Sequence, residues 1–253
     1  AYANEKALAV DPLVEGGITE SSVTSVVLPR VKTAKEGVEL IGKIIDEKGS
    51  AEGNIIFLAD QEEIWYMEIY TGHQYVAVKY PDDAFSVVPN RYMLGVVDVE
   101  DSENVIMSEK LVSLARDNGF LATVGGKIHL VETYGVEIEH YDRSRLWGGI
   151  NFLDSDKEIP YNAKSFDLFQ KTDKKITLKK VMDFQRYRYE GTEFDANLAK
   201  NKDVRAIGTI NQEECHIIQI KKDMPKEVSG TMWVAFGNAE HTRYLPINNG
   251  MTK

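Results

Sequence analysis

A single cysteine, Cys215, stands in 253 residues, so the chain can form no internal disulfide. That suits a reducing cytoplasm, the location expected here, although a secreted protein also manages without disulfides. No apolar run approaches the roughly 20 residues that a membrane-spanning helix needs. No signal-peptide pattern opens the sequence, and no membrane partner is expected. Basic charge is also short: 30 Lys and Arg against 40 Asp and Glu leave a net charge of −10. Phosphate backbones select basic surfaces, which argues against nucleic acid as a partner. An acidic surface ordinarily serves solubility, and it would also suit a substrate carrying a free amine.

Several chemical signatures are missing as well. There is no HExxH, no close His/Cys cluster and no Gly-rich phosphate loop after a strand. The five histidines, His73, His129, His140, His216 and His241, are scattered, so neither a metal nor a cofactor is expected. No repeat, low-complexity segment or linker divides the chain, which reads as one domain over 1–253. A chain of this length with 43% hydrophobic residues can bury a core without disulfides or metal. It opens AYANEKALAV, without an initiator Met, which reads as a processed chain or a fragment.

What is present is a change of hydrophobic period along the chain. Residues 33–45 read as a helix. Thr33 and Glu36 have capping-box spacing, Val38, Ile41 and Ile45 share a face, and Lys48-Gly49 supplies a stop. Three strands follow at 54–59, 64–70 and 74–79, rich in aromatic and β-branched residues and separated by turn formers, with a short fourth at 85–88. A helix is expected over 102–118 with Gly119 as its stop. The segment 165–190 reads as largely helical, with Thr177 capping a second helix. Strands are expected at 204–207, 214–220 and 230–236. Strand meanders with helices grouped between them predict an α+β fold.

Several side-chain groups are candidates for chemistry. Cys215 and His216 are neighbours on a strand, so their side chains diverge, and Cys215 reads as a small buried residue. Glu62-Glu63 and Asp82-Asp83 read as solvated turn residues. Glu68 lies inside an aromatic strand, on the face of Tyr66 and Tyr70. There a charge must be paired, face a cleft or face water, and a water-facing position is the ordinary reading. Asn90 follows Pro89 at a strand end, where an amide can donate to a developing oxyanion. Arg143 and Arg145, two apart, would share a face of an extended segment and suit a carboxylate, with surface salt-bridging as the plainer alternative.

Read in order, several segments resemble one family. They are Ala3–Leu8 with Asp11–Val14, Trp65–Glu68 with Thr71–His73, Val88–Asn90, Arg143–Trp147, Tyr189–Thr192, Cys215–Ile220, and Met232-Trp233 with Gly237–His241. The series resembles the bacterial cysteine dipeptidases called dipeptidase A, of the N-terminal-nucleophile hydrolase superfamily, over nearly the whole chain. The resemblance implies an αββα sandwich of two antiparallel sheets between helical layers, incomplete in this chain. It implies hydrolysis of dipeptides, a small peptide as partner, and a first-residue cysteine whose own α-amine is the base. Residue 1 here is Ala, so the sequence is similar to a middle portion of such an enzyme, inactive by itself. By the same resemblance Asn90 matches the oxyanion-side asparagine and Arg145 the arginine near the nucleophile. Glu68 is a candidate substrate contact. Family members also self-associate in some cases, though no residue here speaks to a homo-oligomer. Two other readings stay open: an amidase of the superfamily acting on N-acylated amines, and a non-catalytic α+β binding protein.

Overall fold

The computed structural model describes residues 1–248. These form two compact units, one of residues 1–82 and 90–137, the other of residues 83–89 and 138–248. Both mix helices with antiparallel sheet, as an α+β fold requires.

The first unit grows from the helix predicted at residues 33–45, observed as Ala34–Lys48. Thr33 accepts a hydrogen bond from the Glu36 amide at 3.2 Å, and the Glu36 carboxylate reaches back to the Lys32 amide at 2.7 Å. The helix stops at Gly49, whose φ of 78° places it in a left-handed region that glycine enters at no steric cost. Strands β1 (Asn54–Ala59), β2 (Ile64–Ile69) and β3 (Tyr75–Lys79) pair antiparallel as a meander. Alternation along β2 sends Trp65, Met67 and Ile69 onto the Ala34–Lys48 helix, where they meet Val38, Ile41 and Ile45 in one buried cluster. Tyr66, Glu68 and Tyr70 are left on the opposite face and are also fully buried.

The expected helix over 102–118 is half strand. Val105–Met107 pairs with Val76–Val78 as the fourth strand of the sheet, and the helix runs only from Leu111 to Asp117. The pairing wins because Val105 and Ile106 are β-branched and complete an open sheet edge, which outweighs a weak local helix preference. Gly119, with φ of 71°, does stop that helix. Short helices at Glu5–Val10, Glu20–Val27 and Leu130–Tyr134, and a small sheet of Val96–Val97, Thr123–Val124 and Lys127–His129, had no clear signal in the sequence.

In the second unit the expected strand 85–88 pairs only at Ala84–Phe85, with Gln170–Lys171. The segment 165–190 is helical only over Leu178–Arg186, where Thr177 accepts from the Lys180 amide as expected. Residues 204–207 form no strand. The Arg205 carbonyl instead accepts from the hydroxyls of Ser144 and Tyr189, each at 2.8 Å. Glu214–Ile220 and Gly230–Phe236 are strands as predicted and pair antiparallel, and Leu245–Asn248 adds a third antiparallel strand.

The segment carrying Arg143 and Arg145 is helical from His140 to Leu153, not extended. Two residues are about 200° apart on a helix, so the arginines diverge. Gly148 and Gly149 sit inside this helix because neighbours press on it. A Cβ at Gly148 would lie 2.3 Å from the Tyr189 ring, and one at Gly149 would lie 2.8 Å from Val87. Gly148→Ala is therefore expected to destabilise the protein by about 1–3 kcal/mol, despite alanine's better helix propensity. Urea unfolding followed by circular dichroism reads this, and a stabilised variant would show that the contact yields freely.

Candidate functional site

Glu68 is the most unusual ionisable group of the first unit. Its side chain is 0% exposed, so the water-facing reading of its position does not hold. Oε1 accepts from the Tyr66 hydroxyl at 2.6 Å and from the Leu94 amide at 3.1 Å, with a further short bond from the Met93 amide. Oε2 accepts from the Tyr70 hydroxyl at 2.7 Å. Burial pushes the carboxyl up. The four donors oppose that shift without cancelling it, so its pKa stays above the usual carboxylate value. Burial and the neighbouring Glu68 charge also push the Tyr66 and Tyr70 hydroxyls well up. The ring of Tyr70 stacks on Tyr134 with centroids 4.6 Å apart and meets Tyr92 edge-on at 4.7 Å.

Asn90 stands immediately before the segment that Glu68 holds. It is exposed, in a bend after buried Pro89. The backbone beyond it is pinned at each step. Arg91 donates to the carbonyls of Tyr92 and Val136, and the Tyr92 hydroxyl donates to the Ile69 carbonyl at 2.6 Å. The carbonyls of Leu94 and Gly95 accept from the amides of Val131 and Leu130, both at 2.9 Å. An exposed amide carried by such a tethered bend is suited to donating a hydrogen bond to a bound oxyanion.

Asp11 forms a second buried network in this unit. Its Oδ2 accepts from the Thr71 hydroxyl at 2.6 Å and the His73 amide at 2.8 Å, and Oδ1 lies 2.8 Å from His73 Nδ1. Gln74 Nε2 donates to Oδ2 at 3.3 Å, and Ser108 continues the network onto Gln74 Oε1. Burial pushes the Asp11 carboxyl up, but the bonds from Thr71, His73 and Gln74 outweigh it and leave the pKa below its usual value. The network ties the segment after Glu5–Val10 to the β2–β3 turn. Sequence reading took Thr71-Gly72-His73 as a turn and as part of the family resemblance, but nothing local marks Asp11 as its partner.

In the second unit Arg145 is largely buried. Its Nε donates to the Tyr141 carbonyl at 3.1 Å, and a terminal nitrogen pairs with Asp142 Oδ1 at 2.8 Å. Burial pushes the guanidinium pKa down, Asp142 opposes this and Arg205 adds to it. Arginine keeps its charge regardless. Arg143 points elsewhere, to the carbonyls of Tyr161 and Ala163.

The remaining candidates are structural. Cys215 is buried and its thiol takes a hydrogen bond from Tyr244 at 3.3 Å. Burial pushes the thiol pKa up, away from the thiolate. His216 is exposed and holds Glu214 at 2.8 Å instead. Glu63 pairs with Lys79 and Asp83 with Lys171. Among the described residues no three His, Cys, Asp or Glu side chains converge as a metal-holding group. Nor is any helix among them long and apolar enough to cross a membrane.

A family model described as peptidase family C69 matches residues 1–253. The chain belongs to that family. It is 44% identical over 267 residues to "Probable dipeptidase B" of Streptococcus pyogenes serotype M1, which covers all of this chain and 54% of the relative. It is 34% identical to "Probable dipeptidase" of Latilactobacillus sakei, over 97% of this chain and 53% of that protein. It is 31% identical to "Probable dipeptidase" of Salmonella dublin, over 99% of this chain and 59% of that protein. The chain thus spans about half the length of the curated relatives it matches. Peptide hydrolysis is the chemistry of this family, and Asn90, Arg145 and Glu68 all lie within the matched residues.

Proposed function

We propose that residues 1–253 are the middle portion of a single-domain thiol dipeptidase with an αββα sandwich fold. Its attacking cysteine lies outside them, at the start of the mature enzyme. The observation that carries this reading is the match of the whole chain to a peptidase family, with relatives named as dipeptidases. The state of Cys215 supports it: a buried thiol with a raised pKa, hydrogen-bonded by the Tyr244 hydroxyl, is a poor nucleophile. An N-terminal cysteine brings its own base in the α-amine, which fits a site without a Cys/His pair.

In this reading the thiolate attacks the dipeptide carbonyl, and negative charge collects on its oxygen. The Asn90 amide donates to that oxygen. Arg145, held by Asp142, orients the reacting end of the chain. Collapse of the tetrahedral intermediate expels the amine, which takes up a proton, and water then cleaves the thioester. The substrate is a small peptide, and the acidic surface favours its free amine over a nucleic acid. The enzyme works in the cytoplasm.

The test uses full-length protein carrying residues 1–253, supplied with a panel of dipeptides and N-acyl amino acids. Dipeptides are expected to yield free amino acids, and alkylation of the N-terminal thiol should stop the reaction. Cys215→Ala is expected to keep kcat/KM within about twofold, and the 253-residue chain alone should be inactive. Turnover of N-acyl amines without dipeptides would favour an amidase. Loss of turnover in a folded Cys215→Ala protein would move the nucleophile to residue 215.

A further inference from the structure

We propose that Glu68 is the positioning residue for Asn90, acting through the backbone of residues 93 and 94. The inference rests on the oxyanion reading of Asn90. Consecutive amides of Met93 and Leu94 converge on one oxygen of Glu68, which lies on the neighbouring strand β2. That oxygen cannot move freely, because the Tyr66 hydroxyl holds it as well and Tyr70 holds its twin. Tyr70 is fixed in turn, stacked on the ring of Tyr134 and edge-on to that of Tyr92. A rigid strand is thereby connected, through one carboxyl group, to the bend that presents Asn90.

Burying a carboxyl group at 0% exposure is costly unless its oxygens are hydrogen-bonded, and four donors meet that need here. A single acceptor that takes two successive amides fixes the direction of the chain there, which one ordinary hydrogen bond does not. Oxyanion donors act only from a narrow range of positions, and a displacement near 1 Å costs about 10²-fold in rate. Full burial also keeps the Glu68 side chain from the surface, so that it acts on substrate through Asn90 and not by contact.

The experiment is a double-mutant cycle on the full-length enzyme, pairing Glu68→Met with Asn90→Ala and using dipeptide turnover as readout. Methionine fills similar space but accepts no bond from the two amides. E68M is expected to lower kcat about 10–100-fold with KM within about twofold. Glutamine keeps an oxygen for the amides and an N–H for Tyr70, so E68Q should restore kcat to within about threefold of the parent. In the N90A background E68M should cost less than about twofold, because the residue it positions is gone. If E68M fails to fold, Tyr66→Phe takes its place in the cycle, since it releases the same oxygen. Multiplicative losses, or an unchanged kcat in the folded Glu68 or Tyr66 variant, overturn the positioning role alone. An unchanged kcat in N90A overturns the oxyanion reading and the inference with it.

Discussion

Replacing Asn90 with alanine in the full-length enzyme is expected to lower kcat for dipeptides by about 10²–10³-fold, equivalent to about 2.7–4 kcal/mol of lost transition-state stabilisation. The size follows from when the bond is made. A carbonyl oxygen in the bound peptide carries little charge, whereas the tetrahedral intermediate carries nearly a full one. An amide donor aimed at the second of these contributes to the barrier and little to binding. KM is therefore expected to move by less than about threefold. The side chain is exposed, so its removal opens no cavity in the core. Circular dichroism and the unfolding midpoint should match the parent, which separates a catalytic loss from a folding one. Asn90→Asp keeps the size and brings a negative charge against the oxyanion, so it should be at least as impaired. A kcat within about threefold of the parent in N90A would remove Asn90 from the chemistry.

The first unit was legible where local pattern and tertiary contact agree. Thr33, Glu36 and Gly49 each act within one turn of the helix they bound, and the β1–β3 meander joins neighbours in sequence. Legibility ended where the deciding contact was distant. Val105–Met107 is a strand because Val76–Val78 offers an edge some thirty residues away. The loop at 204–207 lacks a partner strand, and its backbone is served by hydroxyls of Ser144 and Tyr189. Gly148 and Gly149 make room for Tyr189 and Val87 within a helix, a contact that nothing local announces.

The candidate site divides in the same way. Alternation put Glu68 on the face of Tyr66 and Tyr70, and that much is correct. Whether the face met water or protein was not in the strand itself, because its cover comes from residues 92–94 and 134. The Asp11 network was missed for a similar reason, its partners lying sixty residues on. Asn90 stood out by its place after a strand end and Arg145 by its spacing from Arg143, and the family resemblance added a role to each. For Arg145 spacing misled, since the helix turns Arg143 away from it.

Removing the Glu68 carboxyl altogether should produce the largest loss of stability in the first unit. In Glu68→Ala the hydroxyls of Tyr66 and Tyr70 can rotate toward a water in the vacated space, but the Met93 and Leu94 amides are fixed by their backbone. Each buried donor left unpaired costs about 1–3 kcal/mol, so the pair costs about 2–6 kcal/mol. That is a large share of the roughly 5–15 kcal/mol available to a typical domain. Comparison with Glu68→Gln adds a pH signature. Because burial raises the Glu68 pKa in the fold, the unfolded chain releases this proton first as pH rises. Between the ordinary glutamate value and the raised one, folding takes up a proton, and the parent loses stability with increasing pH. A proton on the folded carboxyl belongs on Oε2, where it can be donated to the Tyr70 oxygen while Oε1 still accepts from both amides. Glutamine has that same arrangement of donor and acceptor and does not titrate. E68Q should thus gain on the parent as pH rises through this window, as read by urea midpoints at a series of pH values. A parent that gained on E68Q would mean that the bonds to Glu68 outweigh its burial and hold the carboxylate charged.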